Sequence, residues 1–325
     1  MKSKQYIVSR FWLFTILSSL VAAFFSILKP IDLLPDMSVY KMNFDIITQG
    51  GVVAIEPTYI LLSKFASSVG SNFYFVIFIY AIFSVYIKLR VIHQFNKRYY
   101  LFFLYICSYL ILHEFIQIRV GLAISFLFCS YLFSLKRQFY KMFIFFVLAI
   151  LFHVSALIFV VLYLLALYIV KSDFLIKALF LSVLFFFIVA VSGGGDLNFL
   201  ASFLPGGLKE KYYIYVEMQS YLNESFNLLS VKLVLFYIII VLYLARIDRV
   251  SQKDKVLVVT FLLFLMLGFF FVSLPAFAFR TIEIVSPFII FLIASINDYY
   301  KSRWVNIISL VFISSSLYYS CTLFL

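Results

Sequence analysis

Ile118-Arg119-Val120-Gly121-Leu122-Ala123 and Leu151-Phe152-His153-Val154-Ser155-Ala156-Leu157, both within the stretch His113–Ile158, decide how this chain is read. Each sets one ionisable residue between apolar runs too greasy for a soluble protein. An arginine at the centre of a membrane helix costs about 2.5–3.5 kcal/mol on insertion scales, so a residue of this kind is a functional candidate by default. The question for the remaining sequence is whether it brings Arg119 and His153 to one place.

Of the 325 residues, 65% are hydrophobic and 12% are charged. Runs of ~20 apolar residues recur along the chain, which indicates membrane helices rather than a soluble core. Cys107, Cys129 and Cys321 lie singly in apolar runs, with neither a disulfide framework nor a metal-ligand spacing. The first expected span runs from about Ile7 to Leu28 and ends at Lys29-Pro30. Its basic start also describes a signal peptide, but the run is long and no A-x-A site closes it, so it reads as an uncleaved span. Residues 30–70 then form an outer loop. Within it Glu56-Pro57 starts a short amphipathic helix, with proline preset for the first helical position. Tyr59, Leu62, Phe65, Ala66 and Val69 are expected on its apolar face, opposite Ser63, Lys64, Ser67 and Ser68.

Further spans follow from Asn72 to Leu89, through Tyr99–Leu135, Tyr140–Val170 and up to Val191. A second outer loop covers 192–227, and spans from about Leu228–Ala245, Val256–Leu274, Thr281–Ile296 and Val305–Phe324 complete the chain. Reading Tyr140–Val170 as two short helices puts every strongly basic turn on one side, including Lys88, Arg90, Lys97, Arg98, Lys136, Arg137, Lys171, Arg246 and Arg249. The positive-inside rule then selects about eleven transmembrane helices with the N-terminus inside. The net charge of +12 is therefore orientation charge and not a nucleic-acid surface. The expected fold is an all-α polytopic membrane protein, one integral membrane domain over 1–325. No repeated unit supports an inverted-repeat transporter.

The same division brings the opening residues together. Arg119 starts a helix that descends to Lys136, about 24 Å at 1.5 Å per residue, and the chain climbs back from Phe139 to His153. Both residues reach the same outer depth. The two stretches are too short for four full spans, so their turns sink below the surface to line a cavity. Gly121, Ser125 and Cys129 form a small-residue row beneath Arg119. Arg280 is expected at an outer turn between two later spans, with Glu283 nearby.

Glu56-Pro57-Thr58-Tyr59, the Arg119 passage, and Leu148-Ala149-Ile150-Leu151-Phe152-His153-Val154-Ser155-Ala156-Leu157 together resemble the EpsG-like, Wzy-type oligosaccharide repeat-unit polymerases. The family pattern reads roughly EPxY, IRQGLA and LAxLFHxSAL, in this order and at similar spacing. Val120 stands where the family usually has Gln. The resemblance implies a GT-C-like membrane glycosyltransferase of the bacterial inner membrane, polymerising undecaprenyl-diphosphate-linked oligosaccharide on the periplasmic face, as in O-antigen assembly. It also implies a flippase and a chain-length regulator as partners.

Such a transfer needs cations for the leaving diphosphate and a base for the attacking hydroxyl. The bilayer-embedded groove takes the lipid tail. Arg119 and Arg280 suit the first role, with Lys209 and Lys211 as loop-borne candidates, since guanidinium forks match phosphate oxygens and keep their charge. His153 is the candidate base, because imidazole exchanges protons near neutrality. Tyr212, Tyr213 and Tyr215 offer rings for sugars, and Glu56 and Glu114 are candidate substrate-binding acids. No acidic cluster has metal-ligand spacing, so a reaction without cofactor or metal is the simpler reading. Each residue has a plainer role: Arg119 paired with Glu114, His153 bonded to a helix-end carbonyl, Arg280 paired with Glu283 at i+3. A lipid-linked glycan ligase, a glycolipid flippase and a membrane acyltransferase remain as alternatives. Polar groups gathered on one side disfavour the flippase, and an outward His153 disfavours an acyl-CoA enzyme.

Overall fold

Inside a bilayer the backbone has no water to bond, so a chain this apolar satisfies its N–H and C=O groups as helices. The computed structural model describes residues 2–29, 34–191, 213, 239–241, 250–271, 275–300 and 303–322. Among them all extended regular structure is helical. Among the described residues four helical stretches are long and apolar enough to cross a membrane: Phe11–Leu28, Phe73–Ile92, Arg98–Ile116 and Ile118–Leu135. The chain is a multi-pass membrane protein. It clusters into two compact units, Met1–Leu157 with Ser316–Leu325, and Ile158–Ser315.

The first unit holds α1 (Lys2–Leu28), α2 (Pro35–Thr48), α3 (Pro57–Ser68), α4 (Phe73–Ile92), α5 (Arg98–Leu110), a π-helical turn (Ile111–Ile116), α6 (Ile118–Leu135) and α7 (Phe139–Phe152). α4 packs between α1 and α6, and α7 packs on α6. Asn72 caps α4, its side chain accepting the Tyr74 N–H at 3.1 Å. The small-residue row works as a seam. Ser125 and Ser84 pair their hydroxyls at 2.9 Å across α6 and α4. A Cβ on Gly121 would collide with the His113 carbonyl, so only glycine lets the π turn sit against α6. The chain reverses at Gln117 (φ −108°, ψ 57°), which sets Arg119 in the first turn of α6.

Tyr140–Val170 is divided as the charge pattern requires. α7 ends at Phe152, His153 is extended (φ −159°, ψ 116°), and α8 (Ala156–Ile169) begins after one turn. Each helix has 14 residues, about 21 Å, which is short of a ~30 Å hydrocarbon layer.

Two expectations for the outer loop are corrected. Residues 30–70 contain a second helix, α2, started by Pro35 and burying Met37, Tyr40, Phe44 and Ile47 at helical spacing. The buried stripe of α3 is Tyr59, Ser63 and Ala66, whereas Phe65 is 53% and Val69 56% exposed. Small residues allow α3 to lie close on its neighbours, and the larger apolar side chains turn outward where an interface would take them. Lys88 is also no loop anchor: its side chain lies wholly buried in α4.

The second unit contains most of α8, with α9 (Asp173–Val191), α10 (Gln252–Phe270), α11 (Pro275–Val285), α12 (Ile289–Tyr300) and most of α13 (Arg303–Thr322). Lys255 meets Asp173 at 3.5 Å, which puts the starts of α9 and α10 at one end of this unit. Phe159 stacks on Phe288 with centroids 4.6 Å apart. The expected span Thr281–Ile296 is broken by a 3-10 turn, Ser286–Phe288, where Pro287 supplies no N–H. Most of 192–249, including the expected span Leu228–Ala245, lies outside the described residues.

Candidate active site

Three elements of the first unit converge on one carboxylate. Glu56 is the N-terminal flanking residue of α3, and its side chain makes no capping bond. Instead Oε2 accepts from Arg119 Nη1 at the start of α6, and Oε1 accepts from His153 Nδ1 at 2.9 Å, just past α7. The approach is fixed locally, because Thr58 Oγ1 donates to the Leu151 carbonyl at 2.8 Å and ties α3 to the end of α7. His153 is held from both sides. Its N–H donates to the Ala149 carbonyl (2.9 Å), and its own carbonyl accepts from Ala156 (3.0 Å), which opens α8.

The electrostatics define the protonation of this cluster. Burial raises the Glu56 pKa, but the His153 hydrogen bond and the charges of Arg119 and His153 outweigh it and hold the carboxyl at about 2. The positive end of α3 favours the same ionised form. An ionised carboxylate can only accept, so His153 Nδ1 is the donor, and in the neutral ring Nε2 carries the lone pair. The side chains of Arg119, Glu56 and His153 keep 15%, 8% and 17% of their surface exposed, so the cluster is sheltered but open.

Aromatic rings complete the setting. The Arg119 guanidinium lies 4.4 Å from the Tyr40 ring centre and 5.8 Å from that of Tyr59. Tyr59 in turn donates its hydroxyl to the Tyr40 carbonyl at 2.6 Å, and burial pushes its phenol above the usual range. Tyr40 is the residue that sequence reasoning missed. Its signal was the helical spacing of Met37, Tyr40, Phe44 and Ile47, within a segment taken for an outer loop.

Glu114 does not belong to this cluster. It is fully buried, accepts from the Tyr105 hydroxyl at 2.9 Å, and pairs with Lys88, which also reaches Ser84 Oγ at 3.0 Å. Its carboxylate is thus engaged by protein groups and closed to solvent, apart from the Glu56 cluster. The plainer pairing of Arg119 with Glu114 is replaced, since Arg119 goes to Glu56.

Residues 11–325, nearly the whole chain, match a sequence profile of the EpsG family. The chain belongs to the EpsG family. This is a family of Wzy-like polymerases, which makes the chain, at that level, a glycosyltransferase-like membrane protein of polysaccharide biosynthesis. No curated protein and no solved structure matches it significantly.

In this EpsG-family chain the structure therefore unites Glu56, Arg119 and His153 within the first unit. Arg280 is not in a turn but within α11 of the second unit, where it meets the buried Glu283 at 3.5 Å. Pro275, which cannot donate a backbone hydrogen bond inside a helix, starts that helix earlier than the apolar pattern suggested. Tyr213 is exposed. Lys209, Lys211, Tyr212 and Tyr215 lie outside the described residues.

Proposed function

We propose that this chain joins polyprenyl-diphosphate-linked oligosaccharide units, undecaprenyl being the expected carrier, on the periplasmic face of the bacterial inner membrane. The observation that carries the reading is the single carboxylate of Glu56 holding both His153 and Arg119. His153 Nε2 accepts the proton of the attacking sugar hydroxyl. The hydroxyl oxygen bonds to the anomeric carbon of the donor, and the carbon–oxygen bond to the diphosphate breaks with its electron pair leaving on phosphate. Glu56 keeps the ring in the tautomer that presents Nε2, so it acts as a positioning residue.

Arg119 keeps donors for an anionic oxygen beyond the one given to Glu56, since among the described residues its Nε–H meets no acceptor. A base must start without the proton it takes, so in the reactive form the three groups sum to zero, with Glu56 ionised and Arg119 charged. Once His153 takes the proton the set carries one positive charge, complementary to the charge growing on the leaving diphosphate. Arg280, Lys209 and Lys211 are proposed as further diphosphate contacts, and Tyr212, Tyr213 and Tyr215 as sugar-stacking rings.

The test is complementation of a deletion strain with His153→Ala, read on a gel of surface polysaccharide. The expected result is single repeat units and no ladder, with the variant inserted at normal levels. A full-length ladder from His153→Ala would overturn the reading, and loss of glycan attachment with intact chain length would point to a ligase.

A further inference from the structure

At the end of the first unit remote from Glu56, a second site is built into α1 and α4. The distance follows from register. Ser84 pairs with Ser125, and Lys136 Nζ reaches Gln94 Oε1 at 3.3 Å, so α4 and α6 run in the same direction. Arg90 lies six residues after Ser84 and Arg119 six residues before Ser125, which separates them by roughly 18 Å along the helix axes.

Arg90 and Arg98 flank His93 here. Arg98 Nη1 is 3.4 Å from His93 Nε2, and the imidazole packs on Phe11 with ring centres 3.7 Å apart. Burial, then the charges of Arg98 and Arg90, lower the His93 pKa and so favour the uncharged ring. Among the described residues neither arginine has a carboxylate partner. Arg90 instead stacks on Trp12 at 3.8 Å, and Trp12 leans on Tyr86 with centres 6.1 Å apart. One helical turn further along both helices is a groove of about 230 Å³, lined by Ile16, Ser19, Leu20, Ile82, Phe83 and Tyr86. Of the two hydroxyl-bearing residues in that lining, Ser19 spends its hydroxyl on the Thr15 carbonyl at 2.7 Å, and Tyr86 presents its ring to Trp12.

Unpaired guanidiniums, then an aromatic pair, then an apolar slot follow one another in line. That is the order of charge and polarity along a phospholipid seated at a bilayer surface. We propose that this end of α1 and α4 binds one anionic phospholipid, its phosphate between Arg90 and Arg98 and an acyl chain in the groove against Leu20 and Phe83. Guanidiniums without a carboxylate favour a net negative headgroup, because a zwitterionic one brings its own cation against them. The lipid clamps α1 onto α4, far from the chemistry at His153.

Full-length protein in detergent is titrated with dioleoylphosphatidylglycerol, dioleoylphosphatidylcholine or inorganic phosphate, and retained molecules are counted by native mass spectrometry. The expected result is one retained phosphatidylglycerol, held at least tenfold more tightly than phosphatidylcholine and not displaced by phosphate. Arg90→Gln with Arg98→Gln weakens retention at least tenfold. Leu20→Trp, and separately Phe83→Trp on the facing wall, do the same by filling the groove; both positions are exposed enough to take the ring without disturbing the core. Equal retention of the two lipids, or undiminished retention in the arginine variant, overturns the site. Displacement by phosphate with both tryptophan variants unaffected also overturns it, leaving a simple anion site.

Discussion

Glu56 Oε1 accepts a hydrogen bond from His153 Nδ1 at 2.9 Å, across 97 positions of sequence. The other oxygen of the same carboxylate takes Arg119, so one short loop helix orients the candidate base and the candidate cation together. The arrangement gives Glu56 a purpose different from gripping sugar. It is spent on protein partners, and what it offers the reaction is the orientation of a ring and the charge balance of a pocket.

Glu56→Gln keeps the shape of the side chain but removes its charge, so the Nδ1–H tautomer is no longer imposed and Arg119 loses its counter-ion. A positioned general base contributes on the order of 10²–10⁴-fold. Glu56→Gln is expected to lose at least the lower end of that range in polymer formation by membrane vesicles supplied with lipid-linked repeat units. Wild-type rates in this variant would remove Glu56 from the mechanism.

The same carboxylate gives stability a pH dependence of known sign. Its folded pKa of about 2 lies below the usual carboxylate value. Its contribution is therefore present above pH ~4.3 and lost as the pH falls towards 2, and it amounts to about 3 kcal/mol at most. Thermal melting of wild type and Glu56→Gln in detergent should differ most above pH ~4.5 and converge near pH 2. A difference independent of pH would contradict the assignment.

Lys88 and Glu114 form a pair with neither side chain open to solvent. Removing one partner strands a buried charge and costs about 3–5 kcal/mol, whereas replacing both with apolar residues of similar volume is far milder. Lys88→Met and Glu114→Leu should each lower the melting temperature sharply, and the double variant should recover most of the loss. Additive losses would show that the two do not act as a pair.

Gly121→Ala tests the seam beneath Arg119. The added methyl meets the backbone carbonyl of His113, which cannot rotate away. Overpacking of this kind costs about 1–3 kcal/mol, and the π turn must move relative to the first turn of α6. Reduced melting temperature together with shortened polymer is expected, and an unchanged protein would mean that the π turn yields freely.

Hydropathy made the membrane helices legible, because a bilayer demands long apolar runs and tolerates few exceptions. The break at His153 was legible for the same reason, since basic turns could be placed on one side only if Tyr140–Val170 was two helices. Helix boundaries marked by proline were less secure. Pro35 opens α2 inside an apparent loop, and Pro275 starts α11 early enough to enclose Arg280. The face of α3 was legible only in part: Tyr59 and Ala66 pack inside as their spacing suggests, but Ser63 packs beside them while Phe65 and Val69 point outward.

By itself the sequence determined the helical membrane class, the EPTY, Arg119 and His153 passages, and the convergence of Arg119 and His153 at one end of a helix pair, since periodicity and charge placement act locally along the chain. Only the tertiary structure decided which acid serves them. Glu114 is five residues from Arg119 and Glu56 is sixty-three, yet Glu114 is taken by Lys88 and Tyr105 while Glu56 reaches Arg119 and His153. Sequence proximity says nothing about this choice. It is made by a π turn that rolls Glu114 into the core, and by a hydroxyl of Thr58 that fastens α3 to the end of α7.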